Sequence, residues 1–170
     1  LAEKLEQYPS VWLGTEYSED HQALKQYLQQ FNIQIEQGEV PSAEALILIA
    51  TYGEDATSAA VRYQVAPQQV VCIDLLYGLN KHRTLMPTFV TKPELVNAAQ
   101  SIFNLDGVSA STIQESVGFV AQRALAMIVN LGCDIAQQGI ATVEDINIAV
   151  KLGLGYPYGP IEWGDVLGAE

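Results

Sequence analysis

The chain has 170 residues, of which 49% are hydrophobic, enough apolar material for one large domain or two small ones. Eight Lys and Arg against 20 Asp and Glu leave a net charge of -12, which opposes nucleic-acid phosphates and anionic lipid surfaces as partners. The opening residues, LAEKLEQYPS, have neither a basic segment nor an apolar signal core, and Leu1 stands where a Met would begin a complete protein. The chain therefore reads as a piece of a longer cytoplasmic protein.

From Val11 to Thr112 short β-rich runs alternate with helical ones: VWLGTEY, SEDHQALKQYLQQF, NIQIE, ALILIATY, EDATSAAVRYQ, VVCIDLL, KPELVNAAQSIF and VSASTI. That alternation predicts an α/β layer around a mostly parallel sheet. The run Ala45 to Ala50 is apolar on both faces, as in a central strand covered by helices. Leu24, Leu28 and Phe31 share one face of the first helix, with Ser18 as its expected N-cap. Glu19 and Asp20, and again Glu54 and Asp55, stand at helix starts, where a carboxylate favours the helix dipole and repels a phosphate. Cys72 and Cys133 have no CxxC spacing and no neighbouring His, so both read as buried structural thiols and no metal site is expected. In KHRTLMPTFV, His82 lies between Lys81 and Arg83 and reads as solvated; His21, on the first helix, is a weaker candidate base still.

After Glu115 the pattern becomes helical. VGFVAQRALAMIVNLGCDIAQQG is one long apolar helix with a narrow polar stripe of Arg123, Asn130, Asp134 and Gln137, too interrupted to span a membrane. Gly139 ends it. Thr142 with Asp145 starts the next helix in the manner of a capping box, and Gly153 is the expected stop. The boundary between an α/β domain, residues 1–114, and an all-helical domain, residues 115–170, is therefore placed near Glu115 to Gly118. Gly153 and Gly155 are the residues able to take positive φ, Pro157 and Pro160 set the path of the turn, and Gly159 leaves room for a close backbone approach.

The string ESVGFVAQR, followed by QGIATVEDINIAVKLGLGYPYGPIEWGDVLG, resembles the C-terminal helical domain of the 3-hydroxyacyl-CoA dehydrogenase family. The resemblance rests on Gly118, Phe119 and Arg123, then Gly139, Ala141, Thr142, Asp145 and Ile146, then Gly153, Leu154, Gly155, Pro157, Gly159, Pro160, Asp165 and Gly168. It implies a domain that forms a dimer and helps close an acyl-CoA site, with Gln122 and Arg123 as candidate substrate contacts and Tyr156, Tyr158 and Trp163 around the turn. The family commonly has Asn where this chain has Gln122. Core or subunit packing is the competing reading for each of these residues, and an internal carboxylate or carbonyl is the expected partner of Arg123.

The N-terminal half departs from the family. It has no Gly-x-Gly-x-x-Gly after a strand, the pattern that lets backbone close on a pyrophosphate, and the one Gly-x-Gly, Gly153 and Gly155, follows a helix. The His-Phe-Phe-Asn-Pro-like segment that carries the family's base is also missing. The arrangement is similar to the second half of longer bacterial members, a reduced Rossmann-like α/β domain followed by a second helical domain, here shortened at Glu170. The resemblance implies an NAD-dependent oxidation of a 3-hydroxyacyl-CoA in fatty-acid or aromatic-acid degradation, with the catalytic residues and NAD in an upstream half and none held here. The alternative is a non-catalytic assembly module without a small ligand; a free-standing nucleotide-binding protein is disfavoured by the missing glycines.

Overall fold

The structure, a computed structural model, describes residues 8–168. The expectations about a leader at residues 1–7 and about the end of the chain at Glu170 lie outside the described residues. The chain divides into two units, Leu1–Phe119 and Val120–Glu170.

In the first unit β1 (Val11–Gly14), β2 (Leu46–Ala50), β3 (Val70–Ile73), β4 (Arg83–Pro87) and β5 (Ala110–Thr112) lie side by side in chain order. Strands β1, β2 and β3 are parallel, β4 runs antiparallel to β3, and β5 is parallel to β4. Every residue of β2 is buried. Its alternating side chains send Leu46, Leu48 and Ala50 into one core and Ile47 and Ile49 into the other. At ~1.5–3 kcal/mol for each buried Leu or Ile, the strand needs cover on both faces. Helices α1 (Ser18–Gln30) and α3 (Pro93–Ile102) cover the first face through Leu24, Leu28, Leu95, Ala99 and Ile102. Helix α2 (Ala56–Arg62) covers the second, its Ala56, Ala59 and Ala60 letting its backbone lie close to the sheet. Phe119, fully buried, completes that second core.

Three expectations change. Ser18 is the first helical residue and not the cap; Tyr17 holds the N-cap position without a side-chain bond. The NIQIE run does not form a full strand. It makes one parallel bridge, Ile35 to Val11, with the Val11 N–H donating to the Gln34 carbonyl and the Glu36 N–H to the Val11 carbonyl. On the opposite side the Ser10 carbonyl accepts from Leu46 N–H, so β1 lies between the Ile35 segment and β2. Strand β4 has no counterpart among the predicted runs, and it makes the sheet mixed at the β3–β4 pair.

At the start of β4 sits Arg83, only 1% exposed. Its guanidinium donates to Asp106 (Nη1 to Oδ1, 2.8 Å), to the Leu79 and Phe103 carbonyls and to the Tyr27 hydroxyl, and it stacks 4.6 Å from the Tyr27 ring. One side chain thereby links α1, the end of α3 and the loop before β5. Burial pushes the Tyr27 phenol up to about 12, and its hydroxyl donates to the Ile102 carbonyl. Cys72 is buried on β3, where burial pushes its thiol up, whereas Cys133 is exposed and not the buried thiol expected.

The second unit holds α4 (Val120–Gln137), α5 (Val143–Leu154) and α6 (Pro160–Leu167). Gly139, at φ +68°, closes α4, with Gly139 N–H bonded to Ala136 and Ile140 N–H to Ile135, the pairing of a Schellman cap. The Thr142 hydroxyl accepts from Asp145 N–H and caps α5, as its sequence predicts. Among the described residues, no helix is long and apolar enough to cross a membrane.

The hydrogen bond from Arg83 holds the Asp106 carboxyl below the usual carboxylate range. A carboxylate whose pKa is depressed by folding contributes stability that is complete above its unfolded value, about 4, and is lost as pH falls through the folded value. Asp106→Asn leaves the buried guanidinium without its counter-charge and should cost about 3 kcal/mol. Urea midpoints at pH 7 check the loss, and the decline of the wild-type midpoint below pH 4 should be shallower in the variant.

Candidate functional site

The motif-bearing segment forms the corner between α5 and α6. Helix α5 runs through Gly153 and stops at Gly155, which sits in the left-handed region at φ +70°; Gly153 is therefore not the stop, and it has no positive φ. Gly159 precedes α6 in an extended conformation, and Pro160 takes the first helical position, where a missing N–H costs nothing. Asn147 is the residue the sequence reading missed. A Cβ at position 159 would overlap the Asn147 side chain and Cα, and Asn147 Oδ1 accepts from Ile161 N–H at 3.0 Å. The buried amide of α5 thus supplies the N-terminal cap that Gly159 cannot make for itself. Glu162 closes the corner from the other side, accepting from Gly159 N–H at 2.7 Å and from Lys151 Nζ at 2.6 Å; the Lys151 bond lowers its pKa.

Gly132 on α4 meets Pro160 and Ile161, and Gly164 on α6 meets Val129, so small residues set the approach of α4 to α6 as well. Tyr158 packs edge-on against the buried Trp163, ring centroids 4.9 Å apart. The two candidate contact residues separate: Gln122 is buried and Arg123, the next residue around the helix, is exposed. Among the described residues Arg123 makes no ion pair with a carboxylate. Met127 and Leu131 on α4, Ile148, Leu152 and Leu154 on α5, and Val166 on α6 are exposed apolar side chains. Cover for these needs a surface outside the unit.

In the α/β unit a crevice of about 370 Å³ lies beyond the ends of β1 and β2, lined by Glu16, Tyr52, Gly53, Glu54, Asp55, Ser58, Arg62 and Val117. The Asp55 carboxylate caps α2, accepting from Ser58 N–H and from its hydroxyl, and Glu19 and Asp20 occupy the first turn of α1. These carboxylates, and the lack of a glycine-rich turn, do not fit a dinucleotide. His82, read as merely solvated, is exposed but held between two hydroxyls: Ser109 at Nδ1, 2.9 Å, and Ser111 at Nε2, 2.8 Å. His21 Nδ1 lies 3.2 Å from the Thr15 hydroxyl, and no group of three or more metal-ligating side chains occurs among the described residues.

Residues 118–170 match the model of the 3-hydroxyacyl-CoA dehydrogenase C-terminal domain. The chain is 34% identical over 129 residues to the 3-hydroxyadipyl-CoA dehydrogenase of Escherichia coli K12, covering 76% of this chain and 26% of that protein. A solved 3-hydroxybutyryl-CoA dehydrogenase from Escherichia coli K12 aligns at 36% identity and a TM-score of 0.58, over 71% of this chain and 25% of the other. The (S)-3-hydroxybutyryl-CoA dehydrogenase of Ralstonia eutropha aligns over 92% of this chain and 54% of its own at a TM-score of 0.65; its 20% identity speaks for the fold alone. The chain thus spans about a quarter of the length of its Escherichia coli relatives.

Two substitutions separate the roles of the corner glycines. Gly155→Val forces a β-branched residue to positive φ and should lower stability by more than ~1 kcal/mol. Gly159→Ala pushes a methyl into Asn147 and should cost about 2 kcal/mol as an overpacked contact. Thermal unfolding measures both.

Proposed function

Because residues 118–170 belong to the C-terminal domain of the 3-hydroxyacyl-CoA dehydrogenase family, we propose that the chain is the C-terminal portion of an NAD-dependent enzyme that oxidises 3-hydroxyacyl-CoA to 3-oxoacyl-CoA. The observation that carries the reading is the α5–α6 corner, where the glycines and prolines of the motif meet Asn147 and Glu162 in a rigid turn. NAD supplies the hydride acceptor when bound, and its site and the catalytic base belong to an upstream half. The residues described here hold neither. What they contribute is a helical surface that packs on a second copy and one wall of the acyl-CoA pocket.

The exposed apolar side chains of α4 and α5 support self-association through the helical unit, which is also what a purely structural module would show. Arg123 separates the two roles. It is an exposed cation within the motif of a chain of net charge -12, and suited to an anionic substrate such as a CoA thioester. A dicarboxylic or short-chain acyl-CoA substrate accords with relatives named 3-hydroxyadipyl-CoA and 3-hydroxybutyryl-CoA dehydrogenase; fatty-acid or aromatic-acid breakdown in the cytoplasm is part of the same proposal.

In the full-length protein, Arg123→Ala should raise the KM for the acyl-CoA about tenfold and leave kcat unchanged, the pattern of a lost binding contact; an unchanged KM favours the structural module. Leu131→Glu should shift sedimentation of the 170-residue chain from dimer to monomer without changing its circular dichroism.

A further inference from the structure

The connections from β1 and β2 leave for opposite faces of the sheet: α1 returns the chain to the Ile35 segment beyond β1, and α2 carries it to β3. That divergence is the arrangement that opens a ligand crevice beyond the carboxyl ends of two neighbouring strands. The crevice is present, but its walls are joined. From α2, Arg62 Nη1 reaches Glu16, just after β1, at 2.6 Å. From the end of β2, the Tyr52 hydroxyl donates to Asp20 on α1 at 2.8 Å, and the Tyr17 ring packs edge-on against Tyr52, 5.5 Å between centroids. Glu54 takes the remaining edge of the guanidinium, accepting from Nε and Nη2, and the Tyr63 ring lies 4.6 Å beneath it.

We propose that the Glu16–Arg62–Glu54 triad is an internal plug: two carboxylates occupy the positions on Arg62 that an anionic ligand would take, and the ties across the crevice keep a dinucleotide out. This rests on the reading of the unit as a reduced dinucleotide-binding fold, and it adds which side chains close the site and which cation they cover. Arg62 is a ready phosphate-binding group because its planar fork matches two oxygens at once. With Asp55, three carboxylates line the crevice against the one guanidinium there, so a pyrophosphate finds repulsion where a glycine-rich turn offers N–H donors.

The test is an NADH fluorescence titration of the 170-residue chain beside Glu16→Gln/Glu54→Gln. The wild type should leave the spectrum of free NADH unchanged to millimolar protein. The double variant should gain at least tenfold in affinity, and adding Arg62→Gln should abolish the gain. Saturable binding by the wild type overturns the plug, and so does a folded double variant with no gain. If the double variant does not fold, Glu16→Gln alone, at a half-exposed side chain, decides by a smaller gain or none. Failure here leaves the KM and sedimentation outcomes for the helical unit as they were.

Discussion

Complete burial of β2 is the constraint from which the α/β unit follows. A strand of five apolar residues with none exposed cannot rest on a single layer of helices, so the chain must supply cover on both sides. Sending α1 to one face and α2 to the other satisfies that demand, and the same divergence parts the loops beyond β1 and β2. The hydrophobic core and the crevice are therefore two results of one topological choice. A fold obliged to open a crevice must then fill it with a ligand, with water or with its own side chains, and the Arg62 cluster is the third solution.

The helical unit is organised on a different principle. Its contacts are set by residues that lack side chains: Gly132 beneath Pro160, Gly159 against Asn147 and Gly164 against Val129. Interiors at crystal-like density tolerate little added volume, so such contacts fix geometry more sharply than a layer of interchangeable leucines would. Asn147 caps α6, Glu162 binds the Gly159 N–H, and Lys151 holds Glu162. With its inner faces committed in this way, the unit leaves Met127, Leu131, Leu152 and Leu154 exposed on its outer surface.

Much of this was legible in the chain, and the gaps have physical causes. The β2 run, the α1 face, the α3 run, the Thr142 cap and the Gly139 stop follow from local periodicity and turn chemistry, which act over a few residues. Strand β4 escaped because RTLMP carries a charge at its first position, and burial of that charge depends on Asp106 and Phe103, about twenty residues further on. Asn147 escaped for a related reason: its importance lies in Gly159, across a turn, and nothing beside it in sequence marks it. Gly153 and Gly155 are both free to end a helix, and only the packing of the corner selects the second. Of the site, the corner was readable from its glycines and prolines, while the ties across the crevice join residues from four separate segments.

Phe119 draws a final distinction. By sequence it belongs with the helical domain, since the family match begins one residue before it; by packing it belongs to the α/β core, where it is fully buried against α2 and the sheet. The border along which the family's sequences are related and the border along which the chain folds therefore do not coincide. A fragment cut at the homology boundary would strip an aromatic ring from one core and leave it bare on the other piece. In this protein the unit of inheritance is longer than the unit of packing, and one side chain holds the overlap.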